Sequence, residues 1–242
     1  MLLLSFIFVI VFSLIHFFSK NMRFITYIPR SKYLSVAGGV AVAYVFLHLL
    51  PEISESQKTF EGSEKGAMGY LSNHAYLFAL AGLFLFYALD RMVKTAKKRD
   101  DKNPERADSS VFWIHISSFF VYNALIGYLL VRDNPDSVQG MVLYFIALVV
   151  HFVTVDHNLR VDHRDAYDKY GRWLLSAAII VGWVIGVFTE VSEFLLSMLV
   201  AFLGGSIILN VIKEELPEER KSSIGAFAIG VISYSALLLL IK

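Results

Sequence analysis

Two short polar stripes carry most of the chemistry available inside the apolar segments of this chain. His115, Ser118 and Tyr122 stand at i, i+3 and i+7, and His151, Thr154 and Asn158 repeat that spacing. On a helix each set forms one stripe. Stripes on consecutive antiparallel helices can face each other and line a hydrated path. Asp156 follows on the second segment, and Asn123 adjoins Tyr122 on the first. Imidazole and carboxylate groups suit zinc or a similar first-row divalent ion. The set His115, His151, Asp156, Ser118 and Asn123 therefore gives a candidate metal-facing surface. Only the two histidines and the aspartate are strong ligands, which fits weak, replaceable coordination better than a closed structural cage. The plainer reading gives each histidine a neighbouring hydroxyl, with Ser118 and Thr154 as the obvious partners. Asp156-His157 also reads as a membrane interface beside Arg160, and Asp162 and His163 read as solvent-exposed.

These residues lie in a chain built for a bilayer. Hydrophobic residues make up 56% of its 242 positions and charged residues 18%, with a mean hydropathy of +0.58. Soluble domains average roughly 45–50% apolar and about 25% charged. A net charge of +1 gives no reason to expect nucleic acid, and the absence of cysteine excludes disulfides and thiolate metal sites. Spanning a membrane takes about 20 apolar residues per helix. Eight such runs are present, at 2–18, 33–50, 73–90, 111–131, 140–158, 173–190, 194–212 and 224–241. A lipid-exposed backbone must satisfy its own hydrogen bonds, so each is expected to be a helix of one transmembrane domain covering 1–242. The first run lacks a preceding basic residue and a small-residue cleavage site, so it reads as a helix rather than a signal peptide.

Charge gives the orientation. The segments after helices 1, 3, 5 and 7 hold 18 of the 22 Lys and Arg residues, and Lys58, Lys65, Arg132 and Lys242 are the remainder. The positive-inside rule then places both termini outside the cytoplasm. A plasma membrane such as the bacterial inner membrane is the expected location.

One pattern occurs twice at a constant offset. SVAGGVAVAYVFLHLLPE and AFLGGSIILNVIKEELPE align without a gap. Gly38, Gly39, Leu50, Pro51 and Glu52 match Gly204, Gly205, Leu216, Pro217 and Glu218. Each copy reads as an apolar helix with a small-residue pair and a Leu-Pro-Glu exit. The copies fall on helices 2 and 7, which run in opposite directions, as an inverted-topology repeat requires. Helices 1–3 would match helices 6–8, with helices 4 and 5 between them. The pattern also has an origin without duplication, because Gly-Gly is common in membrane helices and Pro often follows a helix end. At the helix ends, His48 and Glu52 could collect cations outside. Glu214, with Glu215, Glu218 and Glu219, could release them inside. Asn210 is a path residue or interhelical glue.

GGVAVAYVFLHLLPE resembles the second helix of the ZIP (Zrt/Irt-like) metal transporters, and AFLGGSIILNVIKEELPEE resembles their seventh. The eight helices, outside termini, 3+2+3 repeat and long loop between helices 3 and 4 are also similar. The resemblance implies an all-α integral membrane fold that moves a divalent metal between helices 2, 4, 5 and 7, without covalent chemistry. A homodimer is a common state for such folds. The metal motifs depart from the family. Its fourth-helix pattern is His-x-x-x-Glu-Gly followed by Leu-Ala-Leu-Gly. Aligning Ala124–Gly127 with that tail puts Ser118, Tyr122 and Asn123 at the His, Glu and Gly positions. Its fifth-helix pattern, His-Glu-x-Pro-His/Glu-Glu, falls on His151–Asp156, where His151 and the final carboxylate are kept and Thr154 and Val155 replace Pro and a ligand. A sixth-helix Glu-Pro falls nearest Glu190-Val191, at a short spacing from Gly204.

The leading expectation is a ZIP-like transporter of zinc or a similar divalent cation with a non-standard site. The alternative is a ZIP-fold membrane protein that carries another solute, senses, or serves in a complex. An intramembrane zinc hydrolase is the third class, but the chain has no His-Glu-x-x-His and no Gly-x-Ser-x-Gly. No catalytic residue and no resident cofactor are expected.

Overall fold

The computed structural model describes residues 1–21, 30–61, 74–99, 104–133, 137–215 and 223–241, all helical apart from short connections. Helix α1 spans Leu2–Phe18 and ends in a 3-10 turn, Ser19–Asn21. Helix α2 runs Arg30–Tyr44, passes through a π turn at Val45–Leu49 and continues as Leu50–Glu61. Helices α3 (Ala75–Arg99), α4 (Pro104–Arg132) and α5 (Val138–Asp162) follow. Helix α6 starts at Arg164–Ala166, widens into a π turn at Tyr167–Gly171 and runs on as Arg172–Phe188. Helix α7 is Glu193–Asn210 with a terminal π turn at Val211–Glu215, and α8 is Ile224–Ile241. Seven of these helices are long and apolar enough to cross a membrane, and α8 is apolar but shorter. Large apolar side chains such as Phe84, Ile232 and Leu239 are exposed on the outer faces, as lipid-facing positions would be.

The junctions follow local chemistry. Ser137 caps α5 by accepting from the Gly140 N–H (3.0 Å), and Ser192 caps α7 by accepting from the Leu195 N–H (3.3 Å). Thr189 turns extended after α6, so α6 and α7 are separate helices divided within 189–192. Pro51, expected to end helix 2, lies inside it instead. A helical proline lacks an N–H and crowds the carbonyl four residues back. The chain meets this by widening the preceding turn, where the Leu50 N–H bonds the Val45 carbonyl, one residue further than in an α-helix. The second Leu-Pro-Glu copy, 216–218, lies outside the described residues, but α7 widens at Val211–Glu215, the positions equivalent to Val45–Leu49.

Packing of the two repeat copies is equivalent as well. A Cβ added to Gly39 would collide with the Phe227 carbonyl of α8, and one on Gly205 with the Ala79 carbonyl of α3. In return, a Cβ on Gly230 would meet the Val36 carbonyl, and one on Gly82 the Phe202 carbonyl. Val36 and Phe202 stand at the same repeat offset as Gly39 and Gly205, and Ala79 and Gly82 share a single offset with Phe227 and Gly230. The α2–α8 and α3–α7 contacts are therefore one contact made twice. Between α1 and α6 the Ser13 hydroxyl donates to the Ser176 carbonyl (3.2 Å) and the Ser176 hydroxyl to the Ser13 carbonyl (2.9 Å). Side-chain pairs also give directions. Phe8–Phe145, Phe12–Phe152 and His16–Asp156 advance together, so α1 and α5 are parallel. Ser5–Trp183 and Ser13–Ser176 run oppositely, so α1 and α6 are antiparallel.

Candidate functional site

The buried polar residues of the bundle fall into separate centres. The most enclosed joins α1, α4, α5 and α6 around His16. Its Nδ1 is 2.8 Å from Asp156 Oδ1 and its Nε2 is 2.9 Å from Asn123 Oδ1. The Tyr167 hydroxyl donates to the same Asp156 oxygen at 2.6 Å. All four residues are at most 1% exposed. Asn123 is oriented by its own helix, because its Nδ2 donates to the Phe119 carbonyl (2.8 Å). Tyr167 reaches Asp156 from the π turn of α6, and Gly171 leaves the space its ring occupies. π turns occur often at functional sites. Asp156 Oδ2 is buried without a hydrogen-bond partner.

The other candidate ligands go elsewhere. His151 Nε2 lies 2.8 Å from the Tyr122 hydroxyl, so the two stripes do meet. His115 Nδ1 lies 3.2 Å from His163 Nε2, and one ring must present a lone pair to the other's N–H. His163, read as solvent-exposed, is 3% exposed, because α5 ends against Phe112 and His115 of α4. The expected hydroxyl partners are not used by the histidines. Ser118 and Thr154 bond the carbonyls of Ile114 (2.8 Å) and Val150 (3.0 Å) in their own helices. His115, His151 and Asp156 are thus engaged in three different pairings. Among the described residues no three His, Asp or Glu side chains form a group that could hold a metal ion.

A partly open cleft lies between α3, α4, α5 and α7. Asp90, His115, Ser118, Asn158, Asp162 and Asn210 line it, with Lys213 bonded to Asp90 at its edge. The Asn210 amide nitrogen is buried there without a hydrogen-bond partner. At the opposite end, His48 Nε2 is 4.0 Å from Glu52 Oε2. The Glu52 and Asp133 carboxyls are neighbours there. Burial, reinforced by the nearby Glu55 charge, raises the Asp133 carboxyl above the usual aspartate range. Glu190 is taken by Arg132 at 2.7 Å, and Arg132 also donates to the Gly186 carbonyl, so it fastens α4 to the end of α6. The side chain of Glu214, together with Glu218 and Glu219, lies outside the described residues.

His16 and Tyr167 were not among the sequence candidates. A signal for His16 existed, since an ionisable side chain inside an apolar run is a functional candidate by default. Tyr167 had none, because its role depends on the widened turn that carries it. Compared with family models, with curated proteins and with solved structures, the chain has no match.

Proposed function

We propose that the chain is a ZIP-like membrane transporter of a divalent cation, zinc or a similar first-row ion, with a non-standard site. The twofold-equivalent packing of Gly39–Phe227 and Gly205–Ala79 is the observation that carries this reading. In it, α1–α3 and α6–α8 are inverted repeats flanking α4 and α5, and one helix group rocks against the other. The cleft between α3, α4, α5 and α7 supports a route for the cation through its polar residues, with His115 and Asp162 on its wall. The His151–Tyr122 contact is the next polar step between α4 and α5. Purified protein in liposomes tests the reading. Uptake of zinc, manganese, iron, cobalt or cadmium is expected, and His151→Ala is expected to slow it. No flux of any of the five ions, together with no effect of His151→Ala, would sink it.

A second reading has its own support. Asn123 and Asp156, two of the candidate ligands, are bonded to His16 instead of facing an open site. A ZIP-fold protein that transports no metal fits that closure. Calorimetry with zinc separates the two: the transporter reading expects binding that weakens in His115→Ala, and the second reading expects none.

A further inference from the structure

We propose that the junction where α1 ends and α6 begins binds the phosphate of an anionic phospholipid, with Arg172 as its fixed centre. Among the described residues Arg132, Arg160 and Arg172 are the half-buried arginines. The first two have a carboxylate: Arg132 pairs with Glu190 at 2.7 Å, and Arg160 with Asp168 at 2.8 Å. Arg172 is held by groups of another kind. Its Nε donates to the Asp168 carbonyl (2.8 Å) and its Nη1 to the Phe17 carbonyl (3.0 Å). The guanidinium also lies against the Phe17 and Trp173 rings, 5.1 and 5.2 Å from their centroids. Two carbonyls and two rings thus fix the fork in one orientation, yet none of them carries a negative charge. Nη2 bonds no described residue, so the Nη1–Nη2 edge keeps donors to offer. A charge drawn partly out of water is costly unless an anion faces it.

Carboxylates at the start of α6 do not supply that anion. Both oxygens of Asp168 are taken by Arg160, at 2.8 and 3.1 Å. Asp165 is exposed nearly a turn earlier and is not bonded to Arg172. Two further cations flank the guanidinium instead. Lys169 is exposed on α6, with its Nζ over the Tyr170 ring at 4.9 Å. Lys20 is exposed on α1, one turn beyond Phe17. Trp113, Tyr170 and Trp173 are exposed at this end, and such rings collect at the level of lipid headgroups. Toward the membrane centre the same two helices expose Leu14, one turn before Phe18, and Ile180, two turns after Trp173. A phosphate meets the guanidinium edge through charge-assisted N–H···O bonds, and an acyl chain attached to it finds this apolar surface below. A soluble anion would use the cations alone, so the surface beneath them commits the site to a lipid.

The test is native mass spectrometry of the full chain released from vesicles holding phosphatidylcholine and phosphatidylglycerol in equal amounts. The wild type is expected to retain phosphatidylglycerol in preference, and Arg172→Gln to lower that preference about fivefold or more. Arg164→Gln removes an exposed cation from the start of the same helix and is expected to lower it much less. Equal retention of the two lipids by the wild type would overturn the proposal. So would equal losses in the two variants, which would replace a site by a diffuse field. Arg172→Gln also gives up the bond to the Phe17 carbonyl and can loosen α1. The double change Lys20→Gln/Lys169→Gln alters only exposed side chains and is expected to lower the preference as well; an unchanged preference counts against the site. Inorganic phosphate is the remaining arm. The melting temperature in detergent is expected to rise with phosphatidylglycerol and not with inorganic phosphate, and an equal rise would overturn the assignment to a lipid. None of these readouts involves transport, so this inference and the transporter reading stand or fall separately.

Discussion

Removing the Tyr167 hydroxyl is the mildest disturbance of the His16 centre. Tyr167→Phe keeps the ring beside Gly171 and deletes the hydroxyl that donates to Asp156 Oδ1. Removing one partner of a buried hydrogen bond costs about 1–3 kcal/mol, so thermal unfolding in detergent should show a loss of that size. An unchanged melting temperature would mean that the bond contributes nothing. Asp133 gives a pH-dependent case at the same scale. Its half-buried carboxyl keeps a proton to higher pH than in the unfolded chain. The native state therefore binds more protons across that window, and the site's contribution to stability falls as pH rises from the ordinary aspartate range through the raised value. Asp133→Asn should flatten this slope, read as melting temperature against pH. A slope identical to wild type would assign the dependence to other groups. These residues also mark how far single positions can be read. The spacing of His151 and Tyr122 showed that the stripes could face each other. The partner of Asp156 lies on a helix 140 residues away in sequence, and local spacing carries no information about it.

Helices are placed by two different kinds of sequence signal here, and they differ in reach. Apolar runs located all eight long helices among the described residues, because burial in lipid is a property of composition. They missed helical extensions beyond the apolar length, as in α3 to Arg99 and α4 from Pro104, where charged residues continue the helix without a hydropathy signal. The Leu-Pro-Glu motif was read as an exit from its proline, yet a π turn one step earlier lets α2 continue to Glu61. The glycine pair carried the more durable information, since its role is close backbone approach. Gly205→Val makes that role measurable. The added side chain meets the Ala79 backbone, which cannot swing aside as a flexible side chain can. Overpacking costs about 1–3 kcal/mol, occasionally more, so Gly205→Val should lower the melting temperature markedly. Gly225→Ala is the control: nothing lies within 4 Å of its added Cβ, so no loss is expected. Equal effects of the two changes would remove the close-packing argument.

At the scale of the whole molecule, orientation in the membrane decides which compartment the cleft faces and which the Glu52–Asp133 pair faces. The parallel and antiparallel contacts fix the helices relative to one another, with α1 and α5 in one direction and α6 in the other. The bilayer's sense comes from charge alone, through the 18 basic residues that follow the odd-numbered helices. The chain has no cysteine, so single cysteines report position without a background to remove. Ser192, at the start of α7, and Arg164, at the start of α6, are both exposed and lie at opposite ends of the helix between them. In intact cells a membrane-impermeant maleimide should label Ser192→Cys and leave Arg164→Cys unlabelled until the membrane is opened. The reverse pattern would invert the molecule, placing the cleft with Asp90 and Asp162 outside and the Glu52–Asp133 pair inside. Labelling of both from one side would break the alternation between α6 and its neighbours, and with it the inverted relation between the two repeat copies.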